Sequence, residues 1–246
     1  MDLPLARIRL VAGVALLGLA TASCGGEDKG SKDAPKSPAS QSSATSGYIK
    51  TAAQIVEESQ AALRAATSVH VKGTLPGEAK GAKIDVVIAG DSAKGVIDLA
   101  AKGAATPAEV VKTQGKLYLK GKQLWVKTAG REAGAALGGK WVIAPSYLAK
   151  TFDPYLTTDG LRDILPSPKG VLAKRPPSKI NGMPVNVVLD YSYWERPDKG
   201  VPYYVAAEGT PYPVRLFDGA KALNFTYEAP GAFTAPKGAL KLSGQG

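Results

Sequence analysis

From Val69 onward the apolar residues of this chain fall at every second position, and that period decides most of what it can fold into. Ile84, Val86 and Ile88 alternate with Asp85; Leu117 and Leu119 with Tyr118 and Lys120; Leu124 and Val126 with Trp125 and Lys127; Leu223, Phe225 and Tyr227 with Asn224 and Thr226. Successive side chains of a strand point to opposite faces, so these runs are half-buried strands. Their links are short. Asp91 to Ala93 separates Lys83–Ala89 from Lys94–Leu99, and Lys120 to Gln123, with its glycine, suits a hairpin between Leu117–Leu119 and Leu124–Val126. Links of this length join antiparallel neighbours, whereas a parallel sheet needs crossover helices. Further strands are expected at Ser68–Val71, at Val185–Tyr191 with Val185, Val187, Leu189 and Tyr191 on one face, at Tyr203–Ala207 and at Val214–Phe217.

Helical period occurs twice. In Thr51–Thr67, Ala52, Val56, Leu63 and Ala66 fall near one side together with Ile49, and Thr51 and Gln54 have the spacing of a capping box. In Tyr147–Leu165, Leu148, Phe152, Leu156, Leu161, Ile164 and Leu165 fit helical turns broken by Pro154 and stopped by Pro166. This second segment is expected to cover the open side of the sheet. Between the two regions, Glu132–Gly139 is small and Gly-rich, and Trp141–Ile143 fits a short strand.

The N-terminus has a different character. Leu10 to Ala22 is a run of thirteen uncharged residues preceded by Arg7 and Arg9 and followed by Ser23 and the single cysteine, Cys24. Thirteen helical residues reach about 20 Å, short of the roughly 30 Å hydrocarbon core, so an export signal fits better than a membrane span. Leu19-Ala20-Thr21-Ala22-Ser23-Cys24 resembles a lipobox, with Thr21 where Leu, Ile or Val is commoner, which makes Cys24 the acylated residue. One cysteine excludes an internal disulfide. Gly25–Gly47 contains no Val, Ile, Leu, Met or aromatic residue and is expected to be a disordered tether. The division is therefore 1–23 signal peptide, 24–47 lipidated cysteine and tether, and 48–246 folded domain.

From Tyr48 on there are 26 Lys and Arg against 17 Asp and Glu, spread without a dense run. Nucleic-acid binding needs clustered cations with exposed aromatics, so it is not expected; attraction to anionic headgroups is the functional use such a charge allows. Reactive constellations are missing as well. There is one histidine, His70, placed on the strand face opposite Val69 and Val71. There is no Gly-x-Ser-x-Gly elbow and no His-Glu-x-x-His, and the Gly134–Lys140 spacing resembles a P-loop only until Trp141 takes the magnesium-binding position. Glu57 and Glu58, and Asp159 and Asp163, are carboxylates on helices, where solvation is the ordinary state. Trp125, Trp141, Trp194, Tyr118, Tyr203 and Tyr204 suit either a ligand mouth or the core. No catalytic residue, metal or cofactor is assigned.

Asn181-Gly182-Met183-Pro184-Val185, then Tyr203-Tyr204-Val205-Ala206 with Gly209-Thr210-Pro211-Tyr212-Pro213-Val214-Arg215-Leu216, then Leu223-Asn224-Phe225-Thr226-Tyr227, is similar to actinobacterial lipoproteins of the LppX and LprG type, whose fold is that of the LolA lipoprotein carriers. Ser68-Val69-His70-Val71, Leu117-Tyr118-Leu119 into Leu124-Trp125, and Gly139-Lys140-Trp141-Val142 agree. The likeness covers most of Tyr48 to Pro236. It implies an α+β fold: a single strongly curved antiparallel sheet, a half-barrel, with an N-terminal helix and a central helical segment over its concave side and a hydrophobic cavity between. It also implies binding of acyl chains and a part in lipid or lipoprotein handling in the cell envelope. Tyr193–Val201 is a long insert relative to that pattern, and the chain is rich in Ala and Gly.

The expectation is a non-enzymatic lipoprotein anchored through Cys24 on the extracytoplasmic face of the cell membrane. An acyl chain would lie against Ile84, Val86, Leu117, Leu119, Val187, Leu189, Leu216 and Phe225, each buried methylene contributing about 0.8 kcal/mol. An envelope transporter or another lipoprotein is the expected protein partner. The alternative is a structural or signalling module that contacts an envelope protein through the same curved sheet, its interior filled by its own side chains.

Overall fold

The computed structural model describes residues 50–75, 81–99, 105–192 and 200–242, all within one compact unit, Gly47–Gly246. The export signal, Cys24, the tether and most of the Tyr193–Val201 insert lie outside the described residues. The order of elements is α1 (Ala52–Ala65), β1 (Val69–Thr74), β2 (Lys83–Ala89), β3 (Ser92–Asp98), β4 (Pro107–Thr113), β5 (Lys116–Lys120), α2 (Lys122–Leu137), β6 (Val142–Ile143), α3 (Ser146–Phe152), α4 (Thr158–Ile164), β7 (Leu172–Ile180), β8 (Met183–Asp190), β9 (Val201–Ala206), β10 (Pro213–Phe217) and β11 (Ala222–Thr226).

All eleven strands form one open sheet in the order β6-β5-β4-β3-β2-β1-β11-β10-β9-β8-β7. It consists of two meanders. The first runs outward from β1 to the β6 edge; the chain then passes through α3, a 3-10 turn at Asp153–Tyr155 and α4 to the far edge, and β7 to β11 meander back until β11 pairs with β1. Every pair is antiparallel, as the short links require. Two hairpins turn on two residues with positive φ, Gln114-Gly115 (51° and 70°) and Asn181-Gly182 (50° and 82°). Turns of that hand match the right-handed twist of the flanking strands.

Two glycines allow neighbouring strands of the sheet to close up. A Cβ on Gly95 of β3 would stand 2.0 Å from the Asp85 carbonyl oxygen of β2, and one on Gly73 of β1 (φ 141°) would stand 1.9 Å from that of Ala222. Glycine inside a strand marks such close approaches.

The capping box at Thr51 and Gln54 is present, and α1 buries Ile55, Val56, Ser59, Ala62 and Leu63. Tyr147–Leu165 is helical and broken at Pro154, as its period and prolines predict. One expectation fails: Leu124–Lys127 is not the second strand of a hairpin but the start of α2. That helix reverses at Gly130 (φ 91°, ψ 173°), so its second half lies back on its first. A Cβ at Gly134 would be 2.2 Å from Val126 Cγ2, and one at Gly138 2.9 Å from Lys122 Cα. Leu124 and Trp125, adjacent in sequence, are both buried, and the Ala-rich second half supplies strong helix formers. The alternation over four residues was too short to distinguish the two periods.

The two edges differ. At β6 the C-terminal segment covers the strand: Leu240 bridges Val142 in parallel, with Ile143 N donating to Leu240 O (2.8 Å) and Leu240 N to Trp141 O (2.9 Å). At the opposite edge β7 is largely exposed, and its register shifts between Arg175 and Ser178, around Pro176 and Pro177. Gly95→Ala is expected to destabilise the protein by about 1–3 kcal/mol, the usual cost of forcing atoms into a packed interior. Urea unfolding measures it, with unchanged far-UV circular dichroism in native buffer.

Candidate functional site

The sheet face turned towards the helices carries one continuous apolar layer. Residues directly opposite each other in antiparallel neighbours share a face. Ile84, Gly73, Leu223, Leu216, Tyr203 and Val188 thus form one row across β2, β1, β11, β10, β9 and β8, and Val86, Val71 and Phe225 the next. Beyond β2 the layer continues through Ile97 and Ala108, and through Val110, Leu119 and Val142 to the β6 edge. From above, α1 contributes Ile55, Val56 and Leu63, α2 Leu124 and Trp125, α3 Leu148 and Phe152, and α4 Leu161; Leu156 and Leu165 fill between them.

Six of the eight residues expected to face a ligand lie in this layer, all buried: Ile84, Val86, Leu117, Leu119, Leu216 and Phe225. Val187 and Leu189 do not. They pair with Tyr204 and Pro202, on the sheet face opposite to Val188 and Tyr203. The face was misassigned because β8 is apolar on both sides, with Val185, Val187, Val188 and Leu189 all buried. Alternation then shows that two faces exist but not which one is inside.

The layer holds a few polar atoms. Tyr203 donates to Ser59 Oγ (2.8 Å), which donates in turn to the Val56 carbonyl (2.8 Å). Burial holds the Tyr203 phenol far above its ordinary range despite that partner. Among the described residues the buried Trp125 indole N–H and Ser68 Oγ have no hydrogen-bond partner. At the rim, Lys112 projects from the inner side of β4, where it sits opposite Leu117, and pairs with Asp153 of the 3-10 turn (2.6 Å). This ion pair ties sheet to helical cover. Sequence reading missed both contacts; an isolated lysine on an inward position of β4 was the available signal, but β4 itself went unread.

On the outer face, Asp85 accepts from His70 Nε2 (2.7 Å) and lies 2.8 Å from Lys72 Nζ. His70 is thus a surface residue pointing away from Val69 and Val71, as its strand position implies. The hydrogen bond from Lys72, then that from His70, holds the Asp85 carboxyl below its ordinary value of 3.8. A groove of about 320 Å³ beside it is bounded by Val87, Lys94 and Phe233. A larger one of about 470 Å³ lies at the end of β8–β11, lined by Met183, Val214, Glu208, Glu228 and the stacked rings of Tyr212 and Tyr227, 4.0 Å apart. Among the described residues no three His, Cys, Asp or Glu side chains come together as metal ligands, and no helix is long and apolar enough to cross a membrane. Gly134 is buried inside α2, so the Gly134–Lys140 spacing is not a phosphate loop. Glu58 pairs with Lys50, and Asp159 with Arg64 and Arg162.

No family model and no curated protein matches the chain. Its fold is similar to that of LprF from Mycobacterium bovis, at 19% identity and a TM-score of 0.48 over 76% of this chain and 97% of that one. It is similar also to the Mycobacterium tuberculosis lipoprotein LppX, at 17% identity and a TM-score of 0.44 over 74% and 98%. A conserved protein from Thermus thermophilus is similar at 12% identity and a TM-score of 0.36, over 76% and 96%.

Asp85→Asn tests the outer-face cluster. Because the folded carboxyl titrates below its unfolded value, its stabilising contribution is present above that value and is lost as pH falls through the folded one. Asp85 is nearly half exposed, so the substitution is expected to cost less than about 1 kcal/mol at pH 7. The difference from the parent protein should shrink in urea titrations as the pH is lowered below 3.8.

Proposed function

We propose that this protein is an exported lipoprotein, held by acyl chains on Cys24 at the extracytoplasmic face of the membrane, whose half-barrel takes up an acyl-chain ligand between sheet and helices. In this reading residues 1–23 are removed as a signal and 24–47 form the tether. The observation that carries the reading is the apolar layer itself: a sheet face that is greasy from β6 to β8, roofed by short helices. Uptake is partition. An acyl chain slides in beside Ile84, Val86, Leu117, Leu119, Leu216 and Phe225 as the cover lifts, and the lost helix contacts are replaced by contacts to the ligand. The Trp125 N–H, a buried donor without an acceptor among the described residues, supports this reading, since buried polar groups almost always have partners and a ligand oxygen would supply one. Supply to or removal by an envelope transporter or lipoprotein follows from this activity.

A second reading has its own support: the groove of Met183, Tyr212 and Tyr227 at the end of β8–β11 suits a protein partner, and the inner layer would then be purely structural.

Organic extraction of the purified protein followed by mass spectrometry separates the two. The carrier reading expects stoichiometric acyl lipid, reduced in Trp125→Phe; a lipid-free extract supports the second reading. For the anchor, Cys24→Ala is expected to abolish detergent-phase partitioning of the processed protein. Unchanged partitioning with a cleaved signal contradicts acylation at that residue.

A further inference from the structure

The β7 edge carries charge of one sign only. Between Asp163 and Asp190 the chain has no acidic residue and four basic ones, Lys169, Lys174, Arg175 and Lys179. All four are exposed or half-buried at the surface, and Lys169, Arg175 and Lys179 have no carboxylate partner among the described residues. Val171, in the same stretch, is 68% exposed, the most of any large apolar residue described. A further contact fixes where this edge stands in the whole chain: Lys174 Nζ donates to the carbonyl of Lys50 (3.3 Å). Lys50, the first described residue, thus stands beside β7.

An exposed edge strand normally invites another strand. Here Pro176 and Pro177 remove two N–H donors at the point where the register shifts, which disfavours strand addition. What the edge still offers is cations on both of its faces, Lys174 opposite Val188 and Arg175 opposite Val187, and an exposed valine at its start.

We propose that the β7 edge, from Lys169 to Lys179, is a docking surface for an anionic lipid bilayer. The cations face lipid phosphates and Val171 enters the headgroup region. Each basic residue near an anionic surface raises partition about fivefold, and the effect is screened within about 8 Å at physiological salt. This inference rests on neither acylation nor ligand uptake. Combined with the proposed anchor, it would lay the half-barrel against the membrane by its β7 edge.

The buried layer and both of its covers lie within Gly47–Gly246, so the chain from Gly25 onward, without acyl group, is the sample. It is expected to co-sediment with vesicles of phosphatidylglycerol and phosphatidylcholine, less so at about 0.5 M salt, and not with phosphatidylcholine alone. Replacing Lys169, Lys174, Arg175 and Lys179 by Gln should lower the partition coefficient at least tenfold. Replacing four lysines elsewhere on the surface, Lys83, Lys94, Lys116 and Lys150, gives the same net charge and should lower it less than threefold. Equal losses in the two variants would assign binding to net charge and overturn the proposal. So would an edge variant that self-associates yet keeps its affinity, which would make the cations a guard against strand pairing. Failure to bind the mixed vesicles overturns it too. Copurifying acyl lipid is read from the same samples, so loss of vesicle binding and loss of ligand are seen separately.

Discussion

The pairing of β1 with β11 holds the two halves of this fold together. His70 stands opposite Thr226, and Val71 opposite Phe225, across about 150 residues of intervening chain. Each half is a meander of local hairpins; the first covers part of its inner face with α2, whereas the second has no helix of its own among the described residues. Helix α1 belongs in sequence to the first meander and packs on β7 to β10 of the second; α3 and α4 lie on the connection between them. The apolar layer is therefore complete only when the central seam has closed. Closing a loop of that length before its contacts can compensate slows folding.

Once the seam is made, stability is unevenly distributed. The strands hold one another through backbone hydrogen bonds from edge to edge, whereas α3 and α4 have seven residues each, too few to be helical alone. They remain ordered because Leu148, Phe152, Leu156, Leu161 and Leu165 are buried on the sheet, and because Lys112 meets Asp153 and Gln60 reaches the Pro166 carbonyl (2.7 Å). A rigid floor under a soft roof follows from these lengths. Such weakly held elements are where local opening occurs in a native protein, and opening at this place exposes the apolar layer.

Much of this was legible in the sequence, for definable reasons. Period two with short links implied an antiparallel meander, and the prolines bounding Tyr147–Leu165 its helical cover. Thr51 and Gln54 marked the start of α1. What escaped did so where two patterns coincide. Leu124–Lys127 alternates over a stretch too short to exclude a helix, and only the reversal at Gly130 explains why glycines and a helix occur together. β7 carries Pro176 and Pro177 and few apolar residues, because an edge strand need bury little. Val187 and Leu189 were assigned to the inside because β8 is apolar on both faces. The polar partners in the layer, Ser59 with Tyr203 and Lys112 with Asp153, are long-range pairs that no local pattern announces.

The central claim is that the helical roof, not the sheet, yields to an acyl chain. Hydrogen exchange of the purified protein, stripped of lipid and then supplied with a long-chain fatty acid, tests it most directly. The account predicts that amides of α3 and α4 exchange orders of magnitude faster than those of β1 and β11 in the stripped protein, and that their exchange changes on addition of fatty acid while the strands stay as they were. Exchange in α3 and α4 as slow as in the central strands, and indifferent to the fatty acid, would contradict it.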